Sequence, residues 1–258
     1  LRLLSDRIPA LETLGLPPAV MDFPRIQRGI VVVTGETGSG KSTTLAALID
    51  SINHTRAENI ITMEDPIEYV HRHEGCIVTQ REIPSDVATY AEALRSAMRE
   101  APDVILLGEM RDQETIGTAM TAAEMAQLLF STLHTTGASS TVDRIIDAFP
   151  ANQQRQIRMQ LSLVLQAVVS QQLVPTVDGG IVPVFEIMTA TPAIRNLIRE
   201  EKTHQIDSVI ASSAGAGMRT MDQSLYRLVK EGTISKEVAL QHAIRQEALK
   251  KRFETEGM

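Results

Sequence analysis

The chain has 258 residues, of which 43% are hydrophobic, and its formal net charge at pH 7 is −7. This length can bury a sizeable core in one large domain or two small ones, and the negative charge argues against a protein that binds nucleic acid. Aromatic residues make up only 3% of the chain, which argues against stacking platforms for single-stranded nucleic acid, and Cys76 is the only cysteine, which excludes a disulfide framework.

Prolines and scattered apolar residues characterise the first 28 residues, which predicts a linker with a short helix at most. The chain starts at Leu1 rather than at methionine, so we expect it to begin near a domain boundary. It has no signal peptide and no apolar run near the roughly 18 residues that a membrane span needs. These features predict a soluble protein, and the single cysteine fits a reducing compartment.

A glycine-rich loop follows an apolar, β-branched run at residues 29–34, which is typical of a buried strand. The loop and the residue after it read Gly35, Glu36, Thr37, Gly38, Ser39, Gly40, Lys41, Ser42 and Thr43. They match the phosphate-binding pattern G-x-x-x-x-G-K-[ST], and helical spacing of apolar residues follows from Leu45 to Ile52. Because a helix N-terminus favours anions, we predict that this loop binds the phosphates of a nucleoside triphosphate, with Lys41 on the phosphates and Ser42 on Mg²⁺.

Strand-like and helix-like segments alternate from residue 29 to about residue 135. Short apolar runs predict strands at 60–63, 104–107 and 128–131, and helical spacing predicts helices within 91–98 and 116–123. This alternation predicts an α/β fold with a mostly parallel sheet covered by helices.

After Pro150 the pattern changes. Apolar spacing from Ile157 to Val168 predicts a long helix, and the turn residues 178–180 between two apolar runs predict a hairpin. Short amphipathic helices follow from Pro192. We therefore expect a core over residues 29–190 and a small helical subdomain over residues 191–258.

Acidic residues flank two of the predicted strands. Asp103 precedes one strand and Glu109 follows it, and an acidic residue at a strand end of such a sheet can reach Mg²⁺, directly or through water. We therefore predict that both serve Mg²⁺. Glu64, Asp65 and Glu68 follow another strand, and three carboxylates so close together are costly without a cation, a water to activate or arginine partners. The alternatives are surface carboxylates and a solvated acidic turn.

His134 lies at the predicted end of a further strand, where a neutral imidazole could contact the γ-phosphate, although a lone histidine is more often structural. Phosphoryl transfer gains from an arginine near the γ-phosphate. The candidates are Arg81, Arg95, Arg99 and Arg111, each of which could equally be an ordinary surface residue.

Four segments occur in an order that resembles the type II/IV secretion ATPase superfamily. They are the glycine loop, Ile61-Thr-Met-Glu-Asp-Pro-Ile-Glu-Tyr-Val-His71, Pro102-Asp-Val-Ile-Leu-Leu-Gly-Glu-Met-Arg-Asp112 and Thr132-Leu-His-Thr135. They are similar to the Walker A motif, Asp box, Walker B motif and His box of that superfamily. The segment Ala193-Ile-Arg-Asn-Leu-Ile-Arg-Glu200 resembles a C-terminal signature of its PilT branch, the retraction ATPases of type IV pili. A single cysteine excludes the four-cysteine zinc insert typical of the assembly motors.

The resemblance implies a RecA-like core, a homo-hexameric ring and ATP bound between subunits. It also implies a PAS-like N-terminal domain, which we expect to be missing from this chain, so that residues 1–28 are an interdomain linker. Glu64 would be a general base, Glu109 would serve Mg²⁺ and the attacking water, and His134 would sense the γ-phosphate. The candidates for contact with the ATP of a neighbouring subunit are Arg81, Arg95 and Arg111.

The implied location is the cytoplasmic face of the inner membrane, at the base of the pilus. The implied partners are the platform protein of the pilus machine and a second retraction motor, and no nucleic acid is expected. An accessory motor of the PilU branch and a secretion-system motor are alternatives with the same chemistry.

One departure from the family pattern precedes the His box. Family members usually read Glu-Thr-Gly-His where this chain has Glu124-Met-Ala-Gln127. The role of the second histidine is therefore in doubt, and the coupling of hydrolysis to movement could be altered. This departure alone supports a third alternative, a nucleotide-binding assembly module that hardly hydrolyses ATP.

Overall fold

The computed structural model describes residues 7–256, and its centre is a seven-stranded sheet. The strands are β1 (Gly29–Thr34), β2 (Asn59–Glu64), β3 (Ile77–Glu82), β4 (Val104–Leu107), β5 (Leu128–Leu133), β6 (Leu165–Pro175) and β7 (Ile181–Thr189). Their order is β3-β2-β4-β5-β1-β6-β7, and every neighbouring pair is parallel except the β6–β7 hairpin. The predicted α/β fold with a mostly parallel sheet is confirmed.

Helices cover both faces of the sheet. They are α1 (Pro18–Met21), α2 (Lys41–Thr55), α3 (Tyr90–Ala97), α4 (Gln113–Glu124), α5 (Ala138–Asp147), α6 (Ala151–Val164), α7 (Pro192–Arg199), α8 (Ile206–Ser212), α9 (Met221–Lys230), α10 (Lys236–His242) and α11 (Gln246–Thr255). Along β1, Ile30 and Val32 pack into one core cluster while Val31 and Val33 pack into the other. Since successive side chains of a strand point to opposite faces, a central parallel strand must be apolar throughout, as β1 is.

The two faces of the sheet are covered by different parts of the chain. Helices α3 to α8 contribute to the larger core cluster, and α2 covers the opposite face. Leu11, Val20 and Phe23 are buried against α2, so this part of the expected linker packs on the core as short helical turns. Residues 1–6 of the expected linker lie outside the described residues.

A third core cluster lies beyond the edge of the sheet. The hairpin residues Val174 and Val184 pack there against Met221, Leu225 and Phe253 of the last helices. The hairpin predicted around residues 178–180 is confirmed, and its loop spans residues 176–180. No helix among residues 7–256 is long and apolar enough to cross a membrane.

The predicted helix from Ile157 to Val168 is wrong in its last four residues, 165–168. Helix α6 ends at Val164, and β6 begins at Leu165 without a connecting loop. Residues 167–169 are buried between β1 and β7, where a β-branched run fits a central strand. Tertiary contacts on both edges of β6 therefore outweigh the helical spacing of the apolar residues.

Candidate functional site

The glycine loop connects β1 to α2 in the backbone conformation that its sequence requires. Gly35 has φ +145°, and a Cβ atom there would lie 2.2 Å from the carbonyl oxygen of Gln171 on β6. Gly40 has φ +89° and is the N-cap of α2. Both positions exclude other residues for steric reasons, so the loop is held against β6 and opens at the N-terminus of α2.

Lys41 is almost fully buried and bends back over its own loop. Its Nζ donates hydrogen bonds to the carbonyl oxygens of Gly35 and Glu36, both at 2.8 Å. Burial lowers the pKa of Lys41, and the carboxylates of Glu109 and Glu68 partly offset that shift. The ammonium group therefore belongs to one electrostatic cluster with two acidic residues from other segments.

A cavity of about 650 Å³ opens at the carboxyl ends of the central strands. The loop and α2 contribute Thr37, Gly38, Gly40, Lys41, Ser42 and Thr43 to its lining. The other segments contribute Glu64, Asp65, Glu68, His71, Tyr90, Glu109, Arg111, Thr132, His134 and Leu173. Since carboxyl ends of parallel strands are where α/β proteins bind ligands, this cavity is the candidate nucleotide site.

Glu109 lies between an arginine and a histidine of its own chain. Its Oε1 is 2.6 Å from Arg111 Nε, and its Oε2 is 3.5 Å from His134 Nε2. The Glu109 side chain is only 13% exposed, whereas that of Arg111 is 72% exposed. The structure thus brings together Glu109, His134 and Arg111, three of the predicted site residues.

Glu64 ends β2 and directs its carboxylate at the neighbouring strand. Its Oε1 accepts hydrogen bonds from Thr62 Oγ1 at 2.7 Å and from Gln80 Nε2 at 3.3 Å. Burial raises the pKa of Glu64, while the hydrogen bonds from Thr62 and Gln80 act in the opposite direction. A carboxyl group with a raised pKa at a cavity wall has the properties of a general base.

The prediction that Asp103 serves Mg²⁺ is wrong. Asp103 lies at the amino end of β4, where its Oδ2 accepts a hydrogen bond from the backbone N–H of Asn59 at 2.8 Å. Glu109 follows the opposite end of β4, and a rise of about 3.3 Å per residue separates the two residues by roughly 20 Å. Asp103 therefore fixes the start of β2 beside β4, far from the phosphate-binding loop.

Arg81 and Arg95 lie outside the cavity. Arg81, on edge strand β3, donates through Nη2 to both carboxylate oxygens of Glu100, at 2.6 and 2.7 Å. Arg95 Nη1 on α3 lies 2.5 Å from Glu114 Oε1 on α4, and both side chains are exposed. Their contact with ATP of a neighbouring subunit stays a prediction, since it concerns a second copy of the chain.

The departure at residues 125–127 also lies far from the cavity, at the amino ends of the strands. These residues join α4 to the amino end of β5, and the Gln127 carbonyl oxygen accepts from the Gly29 backbone N–H at 2.9 Å. Ala126 has φ +69°, a left-handed conformation that favours glycine. The Gln127 side chain is buried, and its Oε1 has no hydrogen-bond partner.

Several residues of the site carried no predicted role. Tyr69 bonds Thr43 through its hydroxyl at 2.8 Å, and Gln171 accepts from Thr44 Oγ1 at 2.9 Å. Tyr90 lines the cavity near Glu109, and burial raises the pKa of its hydroxyl. Tyr69 lies within the quoted segment Ile61–His71 but was given no role there, whereas Tyr90 and Gln171 lie outside the quoted motifs.

Comparisons with known proteins give one consistent result. The family model described as "Type II/IV secretion system protein" matches residues 11–245. The chain is 50% identical over 242 residues to the "Type IV pilus retractation ATPase PilT" of Pseudomonas aeruginosa, covering 94% of this chain and 70% of that protein. It is 46% identical to the "Type IV pilus ATPase PilU" of the same organism, over 94% of this chain and 64% of that protein.

A solved structure described as the pilus retraction motor PilT with bound ADP has a similar fold. Its TM-score to this chain is 0.91 at 48% identity, with 96% of this chain and 71% of that chain covered.

Proposed function

Because the chain belongs to the type II/IV secretion system protein family and carries a complete ATP-binding loop, we propose that it is the ATP-hydrolysing motor of type IV pilus retraction. The relative PilT is named as a retraction ATPase, and the structural neighbour is a retraction motor that binds ADP. The single observation that carries the proposal is the convergence of Lys41, Glu64, Glu109 and His134 on one cavity.

In this proposal the loop N–H groups and Lys41 hold the phosphates of ATP at the N-terminus of α2. Glu64 accepts the proton of the attacking water, and Glu109 orients that water. The oxygen of the water bonds to the γ-phosphorus while the bond to the β-phosphate oxygen breaks, giving ADP and inorganic phosphate. His134 Nε2, 3.5 Å from Glu109, reports whether the γ-phosphate is present.

The donor set of the cavity fits Mg²⁺. Ser42 offers a hydroxyl at the start of α2, and Glu109 offers a carboxylate that is 13% exposed, both hard oxygen ligands. When bound, Mg²⁺ would neutralise charge that develops on the phosphate oxygens. Asp103 lies too far away to take part.

We further propose that the chain acts as a ring of six copies, with ATP bound between neighbours. The positions of Arg81 and Arg95 outside the cavity are compatible with contacts across such a boundary. Arg111 lines the cavity and pairs with Glu109 of its own chain, which favours a role within one subunit. The platform protein at the cytoplasmic face of the inner membrane and a second retraction motor are the proposed partners.

An accessory motor of the PilU type is the second candidate. The identity to PilU is 46%, against 50% to PilT, which favours the PilT role. The hypothesis of a module that binds nucleotide but hardly hydrolyses it rested on residues 125–127 alone. These residues lie at the amino ends of the strands, away from the cavity. We therefore favour an active enzyme.

The decisive experiment is Mg-ATP turnover per subunit over a wide range of protein concentration, with Lys41→Ala beside Lys202→Ala. Lys202 pairs with Glu200 on the surface, so its loss controls for the removal of a lysine. We expect turnover to rise steeply and then level off in the wild type and in Lys202→Ala, and to vanish in Lys41→Ala. Cells that carry only Lys41→Ala should fail to retract pili. Normal retraction in those cells would rule out the motor role.

A further inference from the structure

Gln80 on edge strand β3 contacts three groups with one carboxamide. Its Oε1 accepts from the backbone N–H of His71 at 2.8 Å, and its Nε2 donates to the Tyr69 carbonyl oxygen at 2.9 Å. The same Nε2 donates to Glu64 Oε1 at 3.3 Å. The side chain is half-buried, and it connects the segment after the acidic turn to the end of β2.

The orientation of this carboxamide is determined by the backbone. The His71 N–H can only donate and the Tyr69 carbonyl can only accept, so the Gln80 oxygen must face His71 and its nitrogen must face Tyr69. A donor is therefore forced to point toward Glu64. A flipped carboxamide would break both backbone hydrogen bonds and set two acceptors against each other.

The strand register explains why Gln80 reaches Glu64. Thr62 on β2 is the direct partner of Gln80 on β3, and Glu64 is two residues further on the same face of β2. Thr62 and Gln80 both donate to Oε1 of Glu64. Two donors on one oxygen fix the plane of the carboxylate at the wall of the cavity.

We propose that Gln80 is a positioning residue for ATP hydrolysis, which holds the Glu64 carboxylate in its reactive orientation and ties it to the segment Tyr69–His71. This inference rests on the proposed function, in which Glu64 is the general base. Gln80 is not among the residues that line the cavity, so its proposed role is indirect. It acts by donating a hydrogen bond that favours the charged, proton-accepting form of Glu64.

Several charged or titratable groups around Glu64 influence the pKa of its carboxyl group. Burial raises the pKa of Glu64 most, the Glu68 carboxylate also raises it, and a hydrogen bond from the Glu68 backbone lowers it. Burial raises the pKa of Tyr90, and the Glu64 carboxylate adds to that shift. Glu82 is the register partner of Glu64 on β3, and its Oε2 accepts from the Ile67 backbone N–H at 3.1 Å. Glu82 thus also anchors the acidic turn, but it has no hydrogen bond to Glu64.

This difference allows two variants of Gln80 to be compared with one variant of Glu82. Gln80→Met keeps the length of the side chain and removes its hydrogen bonds, and Gln80→Glu keeps the acceptor for His71 but replaces the donor to Glu64 by a negative charge. Glu82→Gln changes the other anchor of the acidic turn and removes a charge opposite Glu64. Each variant, alone and combined with Glu64→Gln, is assayed for kcat and KM as a function of pH.

We expect kcat to fall roughly ten-fold in Gln80→Met with KM unchanged, because a misplaced base slows chemistry without weakening ATP binding. The acid limb of the kcat profile should move to higher pH, further in Gln80→Glu than in Gln80→Met, and should not rise in Glu82→Gln. In the Glu64→Gln background, Gln80→Met should have no further effect on kcat. A full additional loss in that background, or an unmoved acid limb, would overturn the proposal.

A second measurement separates this proposal from the proposed function. The ¹³C chemical shift of the Glu64 carboxyl carbon, assigned with Glu64→Gln, reports its titration whether or not the chain hydrolyses ATP. A higher pKa of Glu64 in Gln80→Met supports the positioning role, and an unchanged pKa contradicts it. Unaltered turnover in Glu64→Gln would instead remove Glu64 from the proposed mechanism.

Discussion

Arg111 and Glu109 form an ion pair within one chain, with Arg111 Nε 2.6 Å from Oε1 of Glu109. Only one residue separates them after the end of β4, so the acidic residue and its cation are presented by the same short segment. His134, which directly follows the adjacent strand β5, approaches the other oxygen of Glu109. Any change at Glu109 therefore affects a cation and a histidine together.

Glu109→Gln should bind ATP and turn it over about 10²–10³-fold more slowly, because an amide cannot supply the charge that the developing transition state requires. The measurement is ATP affinity by calorimetry together with phosphate release. Glu114→Gln is the matched control, since Glu114 pairs with Arg95 on the surface outside the cavity. Equal turnover in Glu109→Gln and wild type would exclude Glu109 from the mechanism.

Mixing two inactive variants should distinguish arginines that act within a chain from those that act across subunits. Because Arg111 pairs with Glu109 of its own chain, we expect Arg111→Ala mixed with Lys41→Ala to stay inactive. Arg81→Ala mixed with Lys41→Ala should recover about a quarter of the wild-type turnover, since composite sites then form between unlike subunits. Recovered turnover in the Arg111→Ala mixture would show that Arg111 acts across subunits. No recovery in the Arg81→Ala mixture would show that Arg81 does not.

The central sheet and the phosphate-binding loop could be predicted because both are local patterns. The apolar run of β1, the glycines and the helical spacing after Lys41 each follow from short-range sterics and burial. Asp103 and Glu109 show where the prediction of site residues failed. Both flank β4, but they lie at opposite ends of that strand. In a parallel sheet only the residue that follows the strand lies beside the loop, so the order Asp103, β4, Glu109 along the chain already favoured Glu109 over Asp103.

Residues that act through tertiary contacts were also beyond the sequence pattern. Edge strand β3 was not predicted, so Gln80 could not be placed beside Glu64. Helix α6 was extended into β6 because buried residues at Leu165 and Val168 happen to have helical spacing. In both cases the deciding information is the partner strand, which lies far away in sequence.

His71 should make the folded state sensitive to mild acid. Burial lowers the pKa of His71 from 6.5 to about 4, so below its ordinary pKa the unfolded chain binds a proton that the folded chain does not. The stabilisation that comes from neutral His71 is fully present above the ordinary pKa. It is lost as the pH falls toward the pKa of His71 in the folded chain. Between pH 7 and pH 5 we expect a loss of about 2 kcal/mol in the free energy of unfolding from this group.

The measurement for His71 is urea unfolding at several pH values, with His71→Gln beside His204→Gln. The exposed His204 controls for the loss of a histidine. His71→Gln should flatten the pH dependence, whereas His204→Gln should keep the wild-type slope. The raised pKa values of Glu64 and Glu186 favour the folded state as pH falls, but both variants share that contribution. Parallel slopes in all three proteins would contradict the assignment.

Ala126→Gly should stabilise the chain by about 1 kcal/mol without changing ATP turnover. Ala126 has φ +69°, where a Cβ atom is strained and glycine is not, and the gain from relieving that strain exceeds the entropy that glycine loses on folding. Ala122→Gly, inside helix α4, is the opposite control and should destabilise the fold, because glycine is unfavourable within a helix. Thermal unfolding and phosphate release measure the two effects. Because Ala126 lies at the edge of the sheet opposite to the cavity, a changed turnover would show that this edge is coupled to catalysis and that the departure from the family pattern alters the motor.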